Sequence, residues 1–233
     1  MNTSKLILNS RYKLLVCDMA GTTINEKGIV YKTLFNTIKG YDIYVKPNEI
    51  EKWHGVNKTE VLQHFINSDK EYKDNPSILP QMLNSFKANL LKKYTEKGAL
   101  NLIHQNLPSC LNNLRNNGVN VALNTSYSVD IQETLIELLH MRDFIDGYIS
   151  SESVFQGRPE PFMIHELMKR FNIKDSKQVV KVGDTVADIL EGKNANCGKV
   201  VGVLSGADSE QTLLDAGADI VLDNIVDIKF KEN

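Results

Sequence analysis

The sequence predicts an α/β protein in which a parallel sheet is covered by helices and carries a helical insert after its first core strand. Two observations predict it. Short β-branched apolar runs recur along the chain, most of them separated by roughly ten to twenty residues of helical spacing, and strand alternating with helix is the pattern of a parallel sheet. Between about Val30 and Gly98, by contrast, the apolar positions follow the 3.6 period of a helix without a convincing strand.

In chain order, Leu14-Leu15-Val16-Cys17 is a continuous apolar run ending at Asp18, as expected of a strand buried on both faces. Val119–Leu123, Tyr148-Ile149, Val179–Val182, Val200–Leu204 and Ile220–Leu222 read as further strands. Their helical partners are Ser109–Asn116, Ile131–Leu139, Phe162–Phe171, Ala187–Asn194 and Glu210–Ala216, with Gly118 and Gly217 as stops. In the insert, Tyr31, Leu34, Phe35 and Ile38, then Val61, Leu62 and Phe65, then Leu83, Phe86, Leu90 and Leu91 mark helical faces. The expected division is a core of 1–28 with 100–233 and a helical domain of 29–99.

Composition narrows the function. The chain has 233 residues, of which 42% are hydrophobic and 24% charged, and a net charge of −2. At this size roughly 70% of the unfolded surface can be buried, so a core needs no staples. With a pI near 6.2, the basic footprint of a nucleic-acid binder is missing. No run approaches the roughly 20 apolar residues of a membrane span. Three widely spaced cysteines, Cys17, Cys110 and Cys197, fit a reducing, cytoplasmic setting and read as near-core thiols. Neither G-x-x-x-x-G-K-[ST] nor G-x-G-x-x-G occurs, so no nucleotide cofactor is implied. Small phosphorylated metabolites remain.

In open parallel sheets ligands bind at the carboxyl ends of the strands. Four polar elements stand there: Asp18-Met19-Ala20-Gly21-Thr22-Thr23, Asn124-Thr125-Ser126, Gly157-Arg158-Pro159 and Gly183-Asp184-Thr185-Val186-Ala187-Asp188. Each also has a purely structural reading. Asp18 suits a turn or cap, and Asp184 and Asp188 suit the first turn of a helix, where acidic charge is favourable.

With these elements in this order, the sequence resembles the haloacid dehalogenase-like hydrolases, and the segment from Asp18 to Thr23 resembles their phosphonoacetaldehyde hydrolase (phosphonatase) branch. The resemblance runs from about Leu14 to Leu222. It implies a Rossmann-like core with a helical cap, and a small phosphorylated or phosphonate substrate. Asp18 would be the nucleophile forming an aspartyl-phosphate, a role that carboxylate chemistry allows. Thr125 would hold the phosphoryl group and Arg158 would neutralise its charge. Asp184 and Asp188, with Asp18 and the backbone carbonyl of Ala20, would hold Mg²⁺, an ion that takes hard oxygen ligands. Thr22, Ser126 and Tyr127 would line the substrate site, although a buried aromatic at Tyr127 also reads as packing. Related phosphonatases suggest a homodimer.

Ala20 stands where most phosphomonoesterases of the superfamily have an aspartate that shuttles protons, a contribution typically worth about 10²–10⁴-fold. Phosphonatases also carry alanine there, because their leaving carbon is stabilised by an imine on a cap lysine. The spacing of Gly55 to Lys58 matches the segment bearing that lysine. Lys58 could equally clamp a substrate anion or sit solvated on a helix. Other positions depart from the branch: Gly28 replaces a thiol, His54 a methionine and Val61 a histidine. His54 could take over as a base, since imidazole titrates near neutrality, or be an idle loop residue. Three readings follow: carbon–phosphorus hydrolysis through Lys58, phosphomonoester hydrolysis with Lys58 as a clamp, and phosphate binding without turnover.

Overall fold

The computed structural model describes residues 5–46, 49–53, 56–96 and 98–231. Residue contacts divide the chain into two compact units, Met1–Asn25 with Asn101–Asn233, and Glu26–Leu100.

The first unit holds β1 (Leu6–Leu8), β2 (Leu14–Cys17) and β3 (Ile24–Asn25) ahead of the second unit, whose helices are α1 (Ile29–Gly40), α2 (Lys58–Ser68) and α3 (Ile78–Tyr94). The chain then returns through β4 (Asn101–Leu102), α4 (Leu107–Asn116), β5 (Asn120–Thr125), α5 (Val129–Leu138) and β6 (Gly147–Ser150). It ends with α6 (Phe162–Arg170), β7 (Val179–Gly183), α7 (Val186–Asn194), β8 (Lys199–Val203), α8 (Glu210–Asp215), β9 (Ile220–Leu222) and β10 (Ile228–Phe230).

The six strands expected from the apolar runs form one sheet in the order β6-β5-β2-β7-β8-β9, parallel throughout. From β2 the chain builds outward through β5 and β6 on one side, then crosses to build β7, β8 and β9 on the other. This reversal opens a crevice at the carboxyl ends of β2, β5 and β7. Cys17 pairs with both Leu123 and Val182, so Asp18, Thr125 and Asp184 leave the sheet at nearly the same level. One face of the sheet is sealed by Leu14, Val16, Met163, Ile164, Leu167, Ile189 and Leu213.

α4 starts two residues before its predicted start because Pro108 fits the first turn, where its missing N–H is no loss. β1 pairs with β10 and β3 with β4. These two- and three-residue strands are held by partners distant in sequence, and are too short for their own residues, even the apolar Leu6-Ile7-Leu8, to announce the pairing.

In the second unit α3 packs against α1 and α2. Their apolar stripes meet through Leu34, Ile38, Leu62, Phe65, Met82, Phe86 and Leu90, all buried. Among the described residues no helix is long and apolar enough to cross a membrane.

Candidate functional site

Asp18 follows β2 directly, and its N–H donates to Val182 O (3.0 Å), carrying the β2–β7 pairing past the strand end. The chain then turns sharply. Met19 O accepts from the N–H groups of Thr23 (2.9 Å) and Ile24 (2.8 Å), and Gly21 takes φ 87°, a left-handed conformation that glycine adopts without penalty. A Cβ on Gly21 would stand 2.4 Å from Asp184 Oδ2, and one on Gly206 would stand 1.9 Å from the same oxygen. Asp184 is thus wedged between two bare backbones. Thr22 Oγ1 donates to its Oδ1 (2.8 Å) and Ala207 N–H to its Oδ2 (2.9 Å).

Asp188 does both things the sequence allowed. It closes a capping box with Thr185 at the start of α7, and it turns Oδ1 toward the cations. That oxygen lies 3.0 Å from Arg158 Nη1 and 2.8 Å from Lys181 Nζ, yet it is buried and receives a well-directed hydrogen bond from neither. Asp18, Asp184 and Asp188 each offer a carboxylate oxygen, all within 4.8 Å of one another, and so could hold a metal ion.

The charges favour that use. Among the described residues, Asp18, Asp184, Asp188 and Glu191 are buried together with two cations, Arg158 and Lys181, which leaves two negative charges in excess when all are ionised. Burial, with the nearby charge of Asp188, pushes Asp18 up to about 6 against the pull of Arg158. Burial and the like charges of Asp18 and Asp188 push Asp184 well above the ordinary carboxylate range. Asp188 is held low despite its burial, because Arg158 and Lys181 face it. A divalent cation among three hard oxygens would remove both the excess charge and the repulsion, so the donor set fits one.

Arg158 lies between β6 and α6, with Nη1 donating to Asp18 Oδ1 (2.6 Å), Nη2 to Asn124 Oδ1 (2.7 Å) and O (2.9 Å), and Nε to Glu191 (3.1 Å). Among the described residues no donor meets Asp18 Oδ2, so the carboxylate is pinned by one oxygen and open at the other. Thr125 closes β5, buried, and its Oγ1 accepts from Tyr127 N–H (3.2 Å). Ser126 is half-buried. Tyr127 is buried, and its carbonyl accepts from Ser150 Oγ. Ala20 presents a half-buried methyl group.

Of the sequence-predicted site residues, the structure brings together Asp18, Thr22, Arg158, Asp184 and Asp188. Lys58 belongs to the second unit and His54 lies outside the described residues. Lys58 is the first residue of α2, behind the Asn57 cap, and is buried rather than solvated. Its Nζ donates to Val56 O (2.7 Å) and stands 5.0 Å from the Tyr31 ring centroid. Two departures from the phosphonatase pattern have structural uses. Gly28 caps α1 at φ 71°, and Val61 is fully buried in the helical core.

Sequence reading missed Lys181, Glu191 and Gly206, and gave Asn124, although part of a strand-end element, no role of its own. Lys181 left a signal, since a lysine inside the apolar run Val179–Val182 is costly unless paired. The cysteines are free and buried; burial raises the Cys17 thiol, which marks it as a small hydrophobe.

The sequence profile of the haloacid dehalogenase-like hydrolase family matches residues 15–203, and the chain belongs to that family. It is similar to phosphonoacetaldehyde hydrolases. The protein of that name from Parabacteroides distasonis is 30% identical over 139 residues, 49% of this chain and 52% of the relative. The one from Bacteroides fragilis is 24% identical over 216 residues, 84% of this chain and 78% of the relative. The match to the first thus spans about half the relative's length. Among solved structures, a phosphonoacetaldehyde hydrolase-like protein from Oleispira antarctica superposes with a TM-score of 0.79 at 20% identity, covering 97% of this chain and 93% of that one, which shows the fold.

Proposed function

We propose that the protein is a Mg²⁺-dependent hydrolase that cleaves a carbon–phosphorus bond in a small phosphonate bearing a carbonyl on its second carbon, with residues 29–99 serving as a cap. The observation that carries this reading is the nucleophile turn, where Asp18 keeps Oδ2 open while Ala20, two residues on, cannot move a proton. A carboxylate beside a proton-inert neighbour suits a leaving group that needs no protonation at departure.

In this reading the amine of Lys58 condenses with the substrate carbonyl, releasing water and forming an imine. Asp18 Oδ2 attacks phosphorus, the carbon–phosphorus bond breaks, and its electron pair enters the imine to give an enamine. Protonation and hydrolysis of the enamine release the aldehyde and restore Lys58, and water cleaves the aspartyl-phosphate to return Asp18 and phosphate. Arg158 stays charged at every accessible pH and lets an anionic carboxylate approach an anionic phosphonate. Thr125, Ser126 and Tyr127 complete the phosphonate-binding surface, while Thr22, expected there from the sequence, is fully buried and gives its hydroxyl to Asp184. Mg²⁺ held by Asp18, Asp184, Asp188 and the Ala20 carbonyl would supply charge neutralisation of the phosphoryl oxygens.

A second reading has an observation of its own. The Val56 carbonyl and the Tyr31 ring face are partners for an ammonium, which suits Lys58 as an anion clamp in a phosphomonoester phosphatase. One experiment separates the two. Borohydride added during turnover of phosphonoacetaldehyde should leave a reduced adduct on the peptide containing Lys58, and Lys58→Arg, which keeps the charge but cannot form this imine, should be inactive. An arginine variant that still releases phosphate efficiently, with no adduct in the wild type, would establish the clamp instead.

A further inference from the structure

Beneath Arg158 lies a polar cluster that the proposed chemistry does not use. Lys181, in the middle of β7, Glu191, on α7, and Asn124, one residue before Thr125 on β5, are all fully buried. A lone buried ammonium or carboxylate would be expensive, so the arrangement must be satisfied internally. Lys181 Nζ donates to Asn124 Oδ1 (2.8 Å) and pairs with Glu191 Oε2 (3.2 Å). Asn124 Nδ2 donates to both oxygens of Glu191 (2.8 and 2.9 Å). The amide orientation is fixed by its surroundings, since its oxygen faces two cations and its nitrogen a carboxylate.

The consequence for Arg158 is directional. Nε is taken by Glu191, and Nη2 is taken twice by Asn124, through the side-chain and main-chain oxygens. Three of the five N–H groups are therefore gripped from behind. Nη1 alone is left to face Asp18 Oδ1 (2.6 Å) and Asp188 Oδ1 (3.0 Å). A planar guanidinium held at two of its nitrogens has no rotation left in its plane.

We propose that Glu191 and Asn124, with Lys181 as their counter-charge, are positioning residues that aim Arg158 Nη1 at Asp18, so that Asp18 is pinned through Oδ1 and presents Oδ2 for attack. The proposal rests on the reading of Asp18 as nucleophile. None of the three touches the reacting atoms. Glu191 must be a carboxylate because three donors converge on it, from Arg158, Lys181 and Asn124. A glutamine offers a single acceptor oxygen and adds donors of its own.

The test is a double-mutant cycle between Glu191→Gln and Arg158→Lys. Lysine keeps a positive charge but has no Nε to meet Glu191 while its ammonium meets Asp18. Its readouts are kcat and KM for phosphate release from phosphonoacetaldehyde, the dissociation constant of inorganic phosphate in the presence of Mg²⁺, and the melting temperature. If Glu191 acts through Arg158, E191Q lowers kcat by about tenfold or more with a smaller change in KM. In the R158K background it costs less than about twofold, because coupled residues are not additive. A purely structural Glu191 lowers melting temperature and activity by the same factors in both backgrounds, and that result would overturn the proposal. A wild-type protein that binds phosphate but releases none from phosphonates or esters would overturn the hydrolytic reading instead, and the cycle is then read from phosphate affinity. Should E191Q fail to fold, Glu191→Asp, which keeps the buried charge opposite Lys181 but draws the carboxylate back from Arg158 Nε, enters the same cycle and is read in the same way.

Discussion

The two units hold their functional side chains in different ways. In the first, each acidic or cationic group at the strand ends is fixed by several partners. Asp184 has Thr22, the Ala207 N–H and two glycine backbones pressed against it, and Arg158 has Asp18, Asn124 and Glu191. In the second unit Lys58, buried at the start of α2, donates to the Val56 carbonyl of its own approach loop and lies over the Tyr31 ring, with the buried charge of Glu26 acting on it. The contrast teaches which part specifies what. Under the proposed function, the multiply bonded cluster of the first unit would set the reaction class and Lys58 would set which substrates react.

The largest effect should therefore come from the rigid side. Asp18→Asn removes the nucleophile's charge while leaving its shape, and phosphate release from every substrate should fall by at least about 10³-fold. Lys58 variants, by comparison, should lose only substrates that carry a carbonyl. Assaying both variants against a phosphonate and a phosphate ester checks the contrast directly. Asp18→Asn retaining near-wild-type rates on either substrate would break it, because the first unit would then not define the chemistry.

Gly206→Ala probes the cradle instead of the charge. The new Cβ would fall 1.9 Å from Asp184 Oδ2, and Asp184 has no slack, being tied to Thr22 and Ala207. A displacement on the order of 1 Å at a reacting centre costs about 10²-fold, and overpacking costs about 1–3 kcal/mol of stability. A lower kcat together with a weaker apparent Mg²⁺ affinity is the expected outcome. Unchanged kinetics would show that Asp184 is free to move.

The same contrast governs what the sequence makes legible. The sheet strands are readable because most are short apolar runs buried on both faces, as Leu14–Cys17 and Val179–Gly183 are, with the edge strand β6 showing through Tyr148-Ile149 alone, and the insert helices because their buried residues recur with helical spacing. Asp18, Asp184 and Asp188 stand out by their place at strand ends. Glu191 does not, since Ile189-Leu190-Glu191-Gly192 reads as an ordinary helix surface until the fold turns that face toward β7. Gly206 is equally silent, because its need for a bare Cα arises from a carboxylate more than twenty residues away. β1 and β10 are silent because their pairing is entirely non-local. Long-range polar coordination is what a one-dimensional pattern fails to carry.

The smallest effect expected, and the one that tests the cation independently of turnover, is a pH-dependent stabilisation by Mg²⁺. Asp18 titrates near 6 in the fold against 3.8 for the free group, and Asp184 is also raised. A raised carboxylate favours the fold through its protonated form. That contribution is complete below about pH 4 and is lost as pH rises toward about 6, where the unfolded chain has already released the proton and the folded chain still holds it. The metal-free protein should therefore lose stability across this window. Asp188, held low by Arg158 and Lys181, stays ionised there and adds no slope. A cation must displace the protons on Asp18 and Asp184 to bind, so its apparent affinity rises as they leave. Melting curves at about pH 5 and about pH 7.5, with Mg²⁺ and with EDTA, should show little shift at the lower pH. At the higher pH Mg²⁺ should raise the melting temperature by about 2–4 °C for each kcal/mol of binding linkage. An Mg²⁺ shift of equal size at both values would mean that the ion does not sit among these carboxylates.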